Sequence, residues 1–214
     1  MFYVTVFDRT FEEFDDSVKS NLNQLADSHE LMDELDSLLD YLFERINFVD
    51  KPIDVGFDCP LDVHCVYTRD QVLVAMDDLH PKNCKEGVKW IKDKNCDILF
   101  VTLNKSEKEY SPTTLYHDYS LNETLFHWQS QSTTRDSSPT GRRYVEHRER
   151  GSHVLLFVRE CKNDNITGLA APYTFLGKAY YVEHKGSNPM NIIWELETPI
   201  PAKFIQKTNK LLAV

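Results

Sequence analysis

The spacing of apolar residues changes period once along this chain, and that change limits the fold to a helical front followed by a strand-rich body. The apolar positions of the front are Phe11, Phe14, Val18, Leu22 and Leu25, then Leu31, Leu35, Leu38, Leu39, Leu42, Phe43 and Ile46. Steps of three and four put these on one side of a 3.6-residue helix, so two amphipathic helices are predicted, the second capped by Ser28. Met1 to Phe7 reads as a short strand-like start. Asp50-Lys51-Pro52 and Asp58-Cys59-Pro60 mark a turn-rich connection, which puts a boundary near residue 58 and divides the chain into 1–58 and 59–214.

Beyond the boundary, Thr68 is a candidate cap for one more helix over 68–79, which stops before His80-Pro81 because a residue preceding proline disfavours the helical region. The rest is short β-branched and aromatic runs: Cys96 to Leu103, Val154 to Arg159, Tyr173 to Leu176, Ala179 to Val182 and Asn191 to Leu196. Turn residues separate them, as in a compact, mostly antiparallel sheet or barrel. The expected fold class is α+β, an acidic helical segment before a β-rich, barrel-like domain. The one lengthy polar segment, 129–143, reads as a loop, and loops of that length are usually functional or disordered.

Charge is segregated in the same way as period. The chain carries a net charge of −10, with residues 1–58 at −11 and residues 59–214 at +1. Acid that is confined to one end does not repel phosphate at the other. Residues 135–162 hold six arginines and a lysine against four carboxylates, so a phosphate-contacting patch is feasible there.

The segment Phe126-His127-Trp128-Gln129-Ser130-Gln131-Ser132, followed by Arg142-Arg143-Tyr144, has the residue types of nucleic-acid recognition. Trp128 can stack on an exposed base, Gln129 and Gln131 can bond base edges, and Ser130, Arg142 and Arg143 can bond phosphate oxygens. The competing interpretation makes Phe126 and Trp128 core side chains and the polar row a solvated loop. Glu160 and Lys162, two apart and on one face if the strand continues through them, form half of a nuclease-type Glu-x-Lys site, with Asp136, Glu146 or Glu149 as the further carboxylate.

Other chemistry is poorly supported. There is no GxSxG elbow, GxxxxGK[ST] loop or GxGxxG turn, so no nucleotide cofactor is expected. His64, Cys65, His80, Cys84 and Cys96 match no common zinc-ligand spacing, and no metal is expected. Five cysteines without a CxxC pair fit reduced thiols, and Met1 to Phe7 lacks a basic leader before Asp8, so a cytoplasmic location without a membrane span is expected.

From about Pro60 to Leu212 the chain resembles the C-terminal domain of unknown function 3427 of bacterial superfamily-2 DEAD/DEAH-type helicases. The segments that carry the resemblance are Tyr67-Thr68-Arg69-Asp70, Glu86-Gly87-Val88-Lys89-Trp90, Phe100-Val101-Thr102-Leu103-Asn104-Lys105, Tyr110-Ser111-Pro112-Thr113-Thr114, Phe126 to Ser132, Leu156-Phe157-Val158-Arg159-Glu160, Phe175-Leu176-Gly177 and Ile200-Pro201-Ala202-Lys203. In that family the domain follows an ATP-driven motor, often with a phospholipase-D-like nuclease at the front, in machines of restriction or phage-defence type. The resemblance implies an accessory module whose partners are DNA and helicase motor or nuclease domains or subunits. Motor and nuclease motifs are missing here, so no ATPase, helicase or nuclease activity carries over, and the chain reads as a C-terminal fragment or a stand-alone remnant.

The expected function is non-catalytic DNA recognition by the β-rich domain. It requires cationic and aromatic side chains of the later half to meet on one concave surface. The alternatives are a docking module that engages or regulates a motor through the acidic helices, and a metal-dependent nuclease around Glu160 and Lys162.

Overall fold

The computed structural model describes residues 1–13, 20, 23, 26–43, 52–103, 118–164, 167–202 and 204–205. It contains two compact units, Met1–Asp50 and Lys51–Val214.

In the first unit, Phe2–Phe7 forms helix α1, not a strand. Six residues, five of them apolar, cannot by themselves distinguish the two periods, and Thr5 closes a helical turn through its N–H and its hydroxyl onto the Met1 carbonyl. Asp8, in the left-handed region at φ 52°, ends it. His29–Phe43 forms α2. Its predicted cap is present, with the Leu31 N–H donating to Ser28 Oγ. Leu31, Leu38, Leu39 and Leu42 of its apolar stripe are exposed. Phe14, Val18, Leu22, Leu25 and Ile46, on which the rest of the helical pattern rests, lie outside the described residues.

The second unit begins before residue 58. Ile53 and Val55 are buried, and the Phe57 ring packs edge-on against His153, so the turn-rich connection supplies core side chains to the body it precedes. Eight strands follow: β1 (Val66–Tyr67), β2 (Val88–Ile91), β3 (Cys96–Thr102), β4 (Tyr119–Ser120), β5 (Leu125–Gln129), β6 (His153–Arg159), β7 (Tyr173–Lys185) and β8 (Asn191–Leu196). They form one sheet in the order β2-β3-β6-β7-β8-β5-β4, with β1 also paired to β7. Every pairing is antiparallel except β3 with β6.

The sheet is open, which corrects the barrel-like expectation: its path ends at β2 and β4, which do not pair with each other. The strand that links its two halves is β7. Thr174–Lys178 of this strand pair with β6 and Ala179–Lys185 with β8, with a register shift on each side. Gly177 permits the first shift. Its φ is +92°, and a Cβ there would stand 3.3 Å from a Val63 methyl. Both halves of the sheet contribute to one buried cluster, including Leu99 and Val101 of β3, Leu156 of β6, Trp128 of β5 and Trp194 of β8. Burial of each such side chain contributes about 1.5–3 kcal/mol.

Two short helices complete the unit. Arg69–Ala75 forms α3, opened by a capping box in which Thr68 and Gln71 bond each other's backbone N–H. It stops four residues short of the predicted end. Pro139–Val145 forms α4, which begins within the segment 129–143 expected to be all loop. Ser138 caps it through the Gly141 N–H, and Pro139 occupies its first turn, where a missing N–H costs nothing.

Candidate nucleic-acid interface

Strand register brings two arginines to one tyrosine. Tyr67 of β1 is paired with Tyr173 of β7, so Arg69, two residues further along, arrives over the Tyr173 ring. Arg159 ends β6 opposite Thr102, and the neighbouring Val158 is paired with Thr174. Its guanidinium carbon is 4.5 Å from the Tyr173 centroid, and that of Arg69 is 5.9 Å away. Arg69 also lies 4.8 Å from the Phe100 centroid. Each guanidinium is held by neutral acceptors. Arg69 donates to the Cys84 carbonyl and the Tyr173 hydroxyl, both at 3.1 Å, and Arg159 donates to Thr102 Oγ1 at 3.0 Å and the Ala171 carbonyl at 3.1 Å. Among the described residues, neither is paired with a carboxylate. Guanidiniums oriented in this way retain N–H groups for an anion.

Both arginines line a cleft of about 620 Å³, a size within the roughly 300–1,000 Å³ usual for ligand sites. Lys85 and Lys162 add positive charge, and Gln129, Gln131, Thr102 and Asn163 add neutral polar groups. Three carboxylates share the lining: Asp70, Glu86 and Asp118. Asp118 is buried and accepts the Gln129 N–H at 2.9 Å, while Glu86 accepts the Gln131 side-chain amide at 2.7 Å. The surface therefore offers donors and acceptors together, as base edges require, as well as charge for phosphate.

The residues expected to bind DNA divide between this cleft, the interior and, for Arg142, the surface outside the cleft. Gln129 and Gln131 line the cleft. Trp128 is among the lining residues, but it is only 4% exposed and packs edge-on against Tyr144 at 5.5 Å. No open face is left for stacking, because Trp128 alternates inward along β5 with Phe126. Ser130 is fully buried; its hydroxyl accepts the Met190 N–H and donates to the Gln131 carbonyl, so it holds the end of a strand pairing. Arg143 is also committed internally. It forms two bonds, of 2.6 and 2.9 Å, to the Asp97 carboxylate, and its guanidinium carbon lies 4.2 Å from the Trp90 ring. Burial holds the Asp97 carboxyl above its usual range, and Arg143 offsets only part of that rise. Arg142 is exposed on α4 and does not line the cleft.

Arg69, Lys85, Thr102 and Asp118 were not expected at a site. The signal for Arg69 is local, a cation directly after a helix cap, but its meeting with Arg159 depends on two strand pairings that spacing does not reveal. Glu160 and Lys162 lie past the last residue of β6, so the shared strand face expected for a nuclease pair is not formed. Among the described residues, no three His, Cys, Asp or Glu side chains are grouped to hold a metal ion. All five cysteines are free thiols, and burial raises the Cys59, Cys84 and Cys96 pKa values. His117, Asn104, Lys105, Tyr110 to Thr114 and Lys203 lie outside the described residues. No helix among the described residues is long and apolar enough to cross a membrane.

Fold and cleft together define an α+β domain with one open, mixed sheet and a polar cleft formed where β1, β3, β5 and β6 bring their ends together. Residues 61–208 match the model of the family Domain of unknown function (DUF3427), and the chain belongs to that family. No curated protein matches the chain.

Proposed function

We propose that this domain is a non-catalytic nucleic-acid recognition module that binds DNA through the cleft, with Arg69, Arg159 and Lys162 toward phosphate and Gln129 and Gln131 toward base edges. The observation that carries it is the pair of guanidiniums on Tyr173, without a carboxylate partner among the described residues and adjacent to two side-chain amides. Asp118 and Glu86, which accept hydrogen bonds from Gln129 and Gln131, also put acceptor oxygens beside the cations, and bases present amino donors that carboxylates accept. The resemblance to helicase C-terminal domains supports an accessory role in a cytoplasmic helicase, restriction or phage-defence system.

The test is a salt series of gel shifts with duplex and single-stranded DNA, using Lys85→Ala/Lys162→Ala. Neither lysine is buried, so the fold should survive. Affinity should fall in the variant, and the slope of log K against log salt should shrink by about 0.7–0.9 for each phosphate that the variant no longer neutralises. Identical slopes in parent and variant would remove the cleft as the binding surface.

A second role, docking onto a motor protein, is favoured by one feature: α2 exposes Leu31, Leu38, Leu39, Tyr41 and Leu42. Leu38→Ser/Leu39→Ser should abolish binding to a helicase partner and leave DNA affinity unchanged. Loss of neither would set this role aside.

A further inference from the structure

We infer that Leu169 is a wedge that enters an opened base step of a bound duplex while the adjoining nucleotide occupies the cleft; this rests on the nucleic-acid role proposed above. Leu169 is 71% exposed. Single exposed leucines are ordinary on protein surfaces, and exposure alone would carry nothing. Two further observations distinguish this one.

The first is that the leucine is held out by fixed backbone. The Asp164 N–H donates to the Leu169 carbonyl at 2.8 Å, the Gly168 N–H to the Asp164 carbonyl at 2.9 Å, and the Ala171 N–H to the Lys162 carbonyl at 3.0 Å. Asn163 and Ala170 form a further antiparallel bridge, and the Leu169 N–H donates to Thr167 Oγ1. Among the described residues of the turn, its neighbours Gly168, Ala170 and Ala171 are small.

The second is that the turn carrying it borders the cleft. Lys162, Asn163 and Ala170, on the two arms of the same turn, line the cleft, and the Ala171 carbonyl holds Arg159. An apolar side chain beside cationic groups matches the chemistry of a duplex, whose phosphates flank apolar base faces. Proteins that kink or open DNA insert Leu, Ile, Met or Phe in this way and offset the cost of unstacking with interactions elsewhere. An enzyme or reader that takes one nucleotide out of the stack faces the same cost, least for a base already unpaired.

The experiment uses the full chain and a duplex carrying 2-aminopurine at a central position, with a single strand and a duplex containing one mismatch for comparison. Binding should raise 2-aminopurine fluorescence. Leu169→Ser should lose that rise and bind the intact duplex about tenfold more weakly, with single-strand affinity within about twofold of the parent. Leu169→Met should behave as the parent, and the mismatch should restore most of the affinity that Leu169→Ser removes. If the parent binds duplex without a rise, or Leu169→Ser keeps both rise and affinity, the wedge is overturned and Leu169 becomes a surface or protein-contact residue, while the cleft role stands. If the parent binds no nucleic acid, both fall together.

Discussion

Arg143 grips Asp97 across 46 residues of sequence, with its Nε 2.6 Å from one carboxylate oxygen and an Nη 2.9 Å from the other. The carboxylate belongs to β3 and is fully buried; the guanidinium belongs to α4 and lies over Trp90. The pair ties the one helix of the polar segment to the sheet. An arginine expected at a nucleic-acid surface is thereby a structural element.

Its removal should therefore be read in stability. Arg143→Ala leaves a buried carboxylate without its partner, a change that typically costs about 3–5 kcal/mol. Arg142→Ala, one residue away and exposed, should stay within about 0.5 kcal/mol of the parent. Urea denaturation of the two variants checks the contrast, and equal midpoints would refute it.

Gly141 should not tolerate a side chain. A Cβ at this position would lie 2.0 Å from the Arg135 carbonyl oxygen and 2.8 Å from its carbonyl carbon, both backbone atoms that cannot swing aside. Overpacking of this kind costs about 1–3 kcal/mol, against the gain that alanine ordinarily brings to a helix. Thermal unfolding of Gly141→Ala should show a lower midpoint.

Acid should destabilise the second unit through His147. Its ring is buried, with Nε2 accepting the Tyr181 N–H at 2.9 Å and Nδ1 facing the Ser152 carbonyl at 3.3 Å. Both bonds are made by the neutral ring protonated at Nδ1. Burial, with Arg148 and His153 acting in the same direction, lowers the pKa from the ordinary 6.5. The unfolded chain thus takes up a proton before the folded one. The contribution is complete above about 6.5 and is lost as pH falls from there through the folded value. Denaturant midpoints measured from pH 7.5 to 5 should decline, and the decline should be shallower in His147→Gln.

Substitutions at the two cleft amides should change preference more than charge dependence. Gln129→Ala and Gln131→Ala remove no cation, so the salt slope should match the parent while discrimination between DNA sequences falls; each good bidentate base contact is worth about 1–3 kcal/mol. Gln131→Ala also releases Glu86, which adds repulsion toward phosphate. Binding to a panel of duplexes at two salt concentrations separates the two effects.

Much of the scaffold is legible because it is written locally. Thr68 announces α3 with its capping partner Gln71, and β3, β6 and β8 are short, mainly apolar and aromatic runs bounded by turn residues. β7 reads as two strands because Gly177 resembles a break; the chain continues through it at a positive φ that only glycine adopts readily. The Ser138-Pro139 cap of α4 is equally local but is outweighed by the polarity around it. Openness of the sheet cannot be inferred from sequence, since closure depends on whether remote edges meet. The cleft is half legible. Gln129 and Gln131 are there, and Arg159 and Lys162 come from the arginine-rich stretch, but Arg69 arrives through the β1–β7 pairing and Trp128 faces inward by strand alternation.

The thirteen residues of β7 give the domain a single spine. Because one continuous backbone serves β6 along its first half and β8 along its second, neither flank can be expressed without the other and still find its hydrogen-bonding neighbour. A split-protein pair divided at Lys178 would separate the halves of that spine and should fail to reassemble. A division at the Gly186 hairpin keeps it whole and is the better place for inserting a reporter.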